Sequence, residues 1–215
     1  YYHSVILMIF DDDVIIIGVN TRRAGVRAVS CLIRQTQKRE GCCIVNRSKP
    51  IIGVDVGGTL EYTWESKRIW FYERGVDLGK WPMSRDDVID VLGGDEELYK
   101  EMHKDVYTDE AILNRHSVPG ACEAIRTLSK RFRIFLLSTR SKTQRAVTMK
   151  WLEKIGIRPF IEDLTFIKHE VGQKLEWCQQ AEAQVLIDDD IVHLVSNKHY
   201  DRGFAKIHFS NHCLL

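Results

Sequence analysis

From residue 50 onward the chain alternates short apolar blocks with longer stretches in which apolar positions recur every three or four residues. The blocks are Ile51–Val54, Phe132–Leu137, Leu164–Ile167, Val185–Ile187 and Phe204–Phe209. Each is too short for a helix and reads as a strand, the most continuous apolar runs as strands buried on both faces. Between them, Ala121–Lys130 places Ile125 and Leu128 on one face. Lys142–Ile155 turns Trp151 and Leu152 inward and stops at Gly156, and Lys174–Ala183 is a third helix. Strands alternating with helices of this length predict an α/β domain: a three-layer, mostly parallel sheet joined by right-handed crossovers.

The segments that break this rhythm are predicted to lie outside the sheet. After the first strand, Glu61–Arg74 is rich in aromatics and is expected to form a hairpin flap over the strand ends. Ser84-Arg85-Asp86-Asp87 opens a short helix as a capping box, ending at Gly93-Gly94. Further helices are expected over Asp95–Val106 and Asp109–Asn114, and Pro119-Gly120 marks the return to the sheet. The division is therefore a core of residues 50–74 and 119–215 with a small helical insertion at 75–118. Residues 1–49 are an extension to which no role is assigned. In it, Val5–Phe10 and Val14–Val19 could pair as a hairpin around Asp11-Asp12-Asp13, read as a solvated turn, and Arg22–Arg39 is basic with weak helical spacing.

Composition narrows the function classes. Lys+Arg 31 against Asp+Glu 30 gives a formal charge of +1, so no general attraction to a nucleic-acid polymer or an anionic membrane is expected. The apolar run Ser4–Val19 is cut by the Asp triplet and cannot span a bilayer. Six cysteines lie scattered without C-x-x-C spacing, which disfavours a zinc site and a disulfide framework and leads us to expect a reducing, intracellular setting, the cytoplasm.

Three of the predicted strands end in polar groups: Asp55, Ser138, and Asp188-Asp189. Ligands of open parallel sheets bind outside the carboxyl ends of the strands, so these ends can converge on one point. Lys174 begins the helix that feeds the last acidic group, where a lysine can reach anionic oxygens. Lys168 directly follows the preceding strand and is the competing lysine. A carboxylate nucleophile, further carboxylates for a hard cation, and a hydroxyl with a lysine for phosphate oxygens together suit phosphoryl transfer. Each residue also has a plainer reading. Asp55 could be a turn residue before Gly57-Gly58, Ser138 a helix cap, Thr59 a loop-fixing hydroxyl and Asp190 a solvated acid, while Arg140 could either hold substrate or pair on the surface.

From about residue 50 to about residue 210 the order of these motifs resembles the haloacid dehalogenase-like (HAD) superfamily, most of whose members are magnesium-dependent phosphatases. The matching residues are Asp55-Val56-Gly57-Gly58-Thr59-Leu60, Ser138 at the end of Phe135-Leu136-Leu137, Lys174, and Ile187-Asp188-Asp189. The double Asp and the size of the insertion are most similar to its deoxyribonucleotidase-like branch. The resemblance implies a Rossmann-like core with the insertion as a cap, Mg²⁺ as cofactor, and a phosphorylated small molecule as substrate. It implies Asp55 as nucleophile and metal ligand, with Gly57 through its carbonyl, Asp188 and Asp189 as further metal ligands. Ser138, Thr139, Thr59 and Lys174 are implied as substrate contacts, and Lys174 as catalytic with Asp55.

The sequence departs from the family at one position. Two residues after the nucleophile, HAD phosphatases carry a second Asp that protonates the leaving group, a contribution of about 10²–10⁴-fold in rate. Here that residue is Gly57. A slow hydrolase, one acting on good leaving groups, or a non-catalytic binding relative are the alternatives that follow. Ile52–Thr59 also resembles the first phosphate loop of actin-like sugar kinases, whose fold continues directly into a β-hairpin and later supplies a second glycine-rich loop. No such second loop is visible in this sequence.

Overall fold

The computed structural model describes residues 3–10, 13–20, 49–79, 83–168, 170–194 and 204–210. Seven strands form one sheet: β1 (His3–Phe10), β2 (Asp13–Asn20), β3 (Ile51–Asp55), β4 (Arg133–Ser138), β5 (Asp163–Phe166), β6 (Val185–Asp188) and β7 (Ala205–Ser210), in the order β2-β1-β7-β6-β3-β4-β5. The five strands from β7 to β5 are all parallel to their neighbours. The α/β parallel architecture expected from the alternating blocks is therefore present. The two N-terminal segments do pair as a hairpin, from His3 opposite Asn20 to Phe10 opposite Asp13, and β1 runs antiparallel to β7. Asp11, Asp12 and the basic stretch Arg22–Arg39 lie outside the described residues.

Helices cover both faces of the parallel strands. On one face α5 (Ala121–Ser129) and α6 (Arg145–Lys154) bury Ile125, Trp151 and Leu152 against Ile52, Val54, Ile134 and Leu136. On the other face α7 (Gln173–Gln180) buries Leu175 and Cys178 with Leu137 and Leu186. Burial pushes the Cys178 thiol up to about 12, so this cysteine is an inert packing group.

The segment between β3 and α5 holds four helices: α1 (Trp64–Tyr72), α2 (Arg85–Val91), α3 (Glu96–Val106) and α4 (Asp109–Asn114). The flap hairpin expected over Glu61–Arg74 is not there; its place is taken by α1. Trp64, Trp70 and Phe71 fall on the buried side at helical spacing, and Glu65 pairs with Arg68 one turn on. Ser84 and Asp87 form the expected capping box, with Ser84 Oγ accepting from the Asp87 amide. Tyr99, Met102 and Val106 of α3 join Trp64, Trp70, Phe71 and Val88 in a second apolar cluster. Helix α4 belongs elsewhere: its Ile112 is part of the core cluster under the sheet. The indole of Trp151 donates to the Arg115 carbonyl just beyond α4, at 2.9 Å.

Candidate active site

Strand register brings the polar ends level. Val54 lies opposite both Leu136 and Ile187, and Asp55 opposite Leu137. Asp55 and Asp188 are therefore neighbours at the same height on adjacent strands, and Ser138 stands one residue further along β4. On the face that Asp55 shares with Gly53, α7 approaches closely. A Cβ at residue 53 would meet Leu137 Cδ1 at 3.1 Å, Trp177 Cζ3 at 3.4 Å and Cys178 Sγ at 3.5 Å. The missing side chain lets the start of α7 reach the strand end. Lys174 Nζ donates to Asp55 Oδ1 and to Asp188 Oδ2, both at 2.6 Å. Lys174 is buried, whereas Lys168 is largely exposed and lies 3.8 Å from Glu170. Of the two competing lysines, only Lys174 reaches the acidic strand ends.

Asp189 completes the acidic group. Ligand atoms of Asp55, Asp188 and Asp189 all lie within 4.8 Å of one another. Asp189 is seated by the loop after β3: Thr59 Oγ1 donates to its Oδ1 at 3.3 Å, and its carboxylate packs where a side chain at Gly58 would stand. Gly58 also has φ +93°, which a side chain would strain. Thr59 thus sits behind Asp189 and is not among the residues lining the cavity. His208 on β7 donates from Nε2 to the Asp189 carbonyl at 3.0 Å. Asp190, expected as a solvated acid, instead donates its amide to Asp188 Oδ1 and caps the short 3₁₀ turn Ile191–His193, accepting from the Val192 amide, each at 3.0 Å.

Asp55, Gly57, Ser138, Thr139, Lys174, Asp188 and Asp189 line one cavity of about 330 Å³, closed on its other side by Lys67 of α1, Tyr99 and His103 of α3, and Tyr107. Ser138 does not cap a helix, because that task falls to Ser141, whose Oγ accepts from the Thr143 amide. Ser138 Oγ instead accepts from the Arg140 amide at 3.3 Å. Arg140 is no surface residue. It is buried, lines the cavity, and forms an ion pair with Glu61, which is fully buried and also 3.2 Å from Arg115. Sequence reasoning missed Glu61, Arg115 and Tyr107. Each is a single residue in a connecting segment, with neither periodicity nor motif spacing to mark it.

Charge balance around the strand ends is uneven. Burial raises Asp55 to about 6, the Lys174 ammonium opposes this, and Asp188 adds to it. Burial likewise raises Asp188, against the pull of Lys174, and raises Asp189 well above its ordinary value with help from Asp55 and Asp188. Burial disfavours the charge on Lys174, yet Asp55 and Asp188 outweigh it and hold the ammonium above its ordinary range. One ammonium does not balance three carboxylates, and Asp55 Oδ2 is buried without a hydrogen-bond partner. Oxygen donors clustered in this way, with unanswered negative charge, fit a hard divalent cation such as Mg²⁺.

Comparison with known proteins gives fold-level likenesses only. No family model matches the sequence, and no curated protein matches it. Among solved structures, the chain is similar to a putative phosphoglycolate phosphatase from Lactobacillus plantarum, at 13% identity and TM-score 0.48, covering 69% of this chain and 81% of that one. It is similar to the putative HAD-hydrolase YfnB from Bacillus subtilis, a structure bound to magnesium, at 16% identity and TM-score 0.43, covering 68% and 82%. It is also similar to a class C acid phosphatase from Bacillus anthracis with tungstate bound, at 18% identity and TM-score 0.42, covering 77% of this chain and 59% of that one. At such identities and scores, function is decided by the residues of the site. Among the described residues, no helix is long and apolar enough to cross a membrane.

Proposed function

We propose that this protein is a HAD-like, metal-dependent hydrolase of a small phosphomonoester, with Asp55 as the nucleophile. One observation carries the reading: a buried lysine bridges two carboxylates at 2.6 Å each, at the carboxyl rim of a parallel sheet, and leaves the second oxygen of Asp55 uncommitted. A structural ion pair needs one carboxylate, whereas this arrangement assembles three and seats the third with a dedicated glycine. The order of motifs along the sequence supports the same class, and a nucleoside monophosphate is the substrate that the resemblance suggests.

In this reading, Lys174 holds Asp55 in one orientation and keeps it ionised. The Asp55 carboxylate attacks phosphorus, the ester P–O bond breaks, and the alcohol leaves with a proton from solvent, because Gly57 offers none. Water then attacks the aspartyl-phosphate, the P–O bond to Asp55 breaks, and inorganic phosphate departs as the carboxylate is restored. Ser138, Thr139 and Lys174 contact the phosphoryl oxygens. Mg²⁺, held by Asp55, Asp188 and Asp189 with the Gly57 carbonyl as the further expected ligand, would supply charge neutralisation for a dianionic ester.

The test is phosphate release from a panel of phosphomonoesters with and without Mg²⁺. Turnover is expected to need the metal and to fall by roughly 10³-fold or more in Asp55→Asn, as befits loss of a nucleophile. Metal-independent turnover, or full activity in Asp55→Asn, would refute the assignment. Gly57 favours a second reading, a protein that binds phosphate and metal without turnover. Binding of both with no release from any ester would select it. The actin-like kinase alternative is disfavoured, since that fold continues into a β-hairpin whereas here the residues after Asp55 form a turn and a helix.

A further inference from the structure

Two guanidinium groups, Arg115 and Arg140, share a single carboxylate, Glu61, with side-chain exposures of 2%, 5% and 0%. Glu61 Oε1 lies 3.2 Å from Arg115 Nη1, and Oε2 contacts Arg140 Nη2. One buried carboxylate cannot neutralise two buried cations, so the trio carries a surplus positive charge where such charge is costly. Tyr107 answers part of it with its ring, whose centroid is 5.0 Å from the Arg115 guanidinium and 5.4 Å from that of Arg140.

The two arginines are not equivalent. Arg115 is tied down a second time, donating to the Val106 carbonyl. Arg140 has no such tether: both its Nη1 and Nη2 are buried without a hydrogen-bond partner, against Nη1 alone in Arg115, and of the two only Arg140 lines the cavity, beside Ser138 and Thr139. Burial holds its guanidinium down at about 10, which marks a cation short of compensating charge, although Asp55 works in the opposite direction. Buried donors are nearly always answered, so this guanidinium points to a partner that arrives from outside. A planar guanidinium at a cavity wall suits a tetrahedral oxyanion, which it can hold through two parallel hydrogen bonds.

We propose that Arg140 is an anion-binding residue of this cavity, taking oxygens of the substrate's phosphoryl group, with Glu61 as the positioning residue that holds its guanidinium. The proposal rests on the phosphoryl-transfer reading for the identity of the anion.

The experiment is calorimetric titration of the full chain with inorganic phosphate in the presence of Mg²⁺, comparing wild type with Arg140→Met, Arg140→Lys and Arg115→Met. In Arg140→Met, Glu61 is left facing Arg115 alone as a neutral pair, so the variant is expected to fold with an unchanged or higher melting temperature. Its phosphate affinity is expected to fall about tenfold or more, the scale of lost charge-assisted hydrogen bonds. Arg140→Lys keeps the charge without the fork and is expected to fall between, whereas Arg115→Met keeps affinity within about threefold. Wild-type affinity in Arg140→Met overturns the proposal, as does a wild type that binds no phosphate. If Arg140→Met does not fold, unchanged affinity in Arg140→Lys overturns it and weakened affinity sustains it. Ester turnover by the same proteins separates the two claims. Turnover indifferent to Arg140 leaves the hydrolase and removes this proposal, whereas Arg140-dependent phosphate binding without turnover does the reverse.

Discussion

Two charge clusters meet the same cavity, the basic one through Arg140 alone, and they are unbalanced in opposite directions. Around Asp55, three carboxylates share one ammonium, and around Glu61, two guanidiniums share one carboxylate. A cluster built for stability alone would close its charge, because breaking or leaving open a buried pair is expensive. Neither closes, and they err with opposite sign; the proposed cation would complete one and the proposed anion the other. The acidic side also differs in construction. Its members sit at the ends of neighbouring strands and are fixed by register, whereas the basic side is assembled from three separate connections.

The sharpest way to break this comparison is to remove the one balancing charge from the acidic side. Lys174→Met leaves the buried Asp55 and Asp188 without the ammonium that bonds both, and is expected to cost about 3–5 kcal/mol in urea unfolding, part of it recovered by Mg²⁺. Arg140→Met, on the basic side, removes the surplus charge and is expected to cost nothing. Equal losses in both would show that the clusters are ordinary scaffolding.

Gly57→Asp sharpens the catalytic half. A Cβ there would meet only Thr63 Cγ2 at 4.0 Å, so the backbone accepts the change. If the cluster is a working nucleophile that lacks its proton donor, initial-rate measurements should show turnover rising about 10²-fold. No gain would mean that the acid is supplied from elsewhere in the cavity.

The smallest effect is on pH. Asp55 is raised from 3.8 to about 6 when folded, and Asp188 and Asp189 shift the same way. The folded state therefore binds these protons more tightly than the unfolded one. The stability they contribute is fully present below about pH 4 and is lost as pH rises through about 6 in metal-free protein. Mg²⁺ requires the ionised carboxylates, so its stabilising effect should grow over the same range. Melting curves between about pH 4 and about pH 7, with and without Mg²⁺, check both signs. A profile that Mg²⁺ leaves unchanged at every pH would remove the metal from the site.

The acidic half of this arrangement was legible because strands buried on both faces announce themselves as apolar runs, and a polar residue closing such a run has one place to go. Asp55, Ser138 and Asp188 were found in that way, and Lys174 followed from its position at a helix start. The fold was legible for the same reason. The aromatic stretch after Glu61 suggests a flap by its composition, but the spacing of Trp64, Trp70 and Phe71 is helical and the helix is what forms. Glu61, Arg115 and Arg140 left no periodic trace: three isolated charges from distant turns meet only in three dimensions, and no spacing along the chain reports that meeting. The glycine at residue 58 was visible as a flexible loop position, but its partnership with Asp189 was not.

That partnership ties two distant positions together. Residue 58 is empty so that residue 189 can occupy its space, and the bend between them admits one carboxylate and no methyl group. Any variant that fills position 58 must shorten position 189 or displace it. Changes at these two sites are one alteration in structural terms, and a chain altered at either alone forfeits its third acidic oxygen donor.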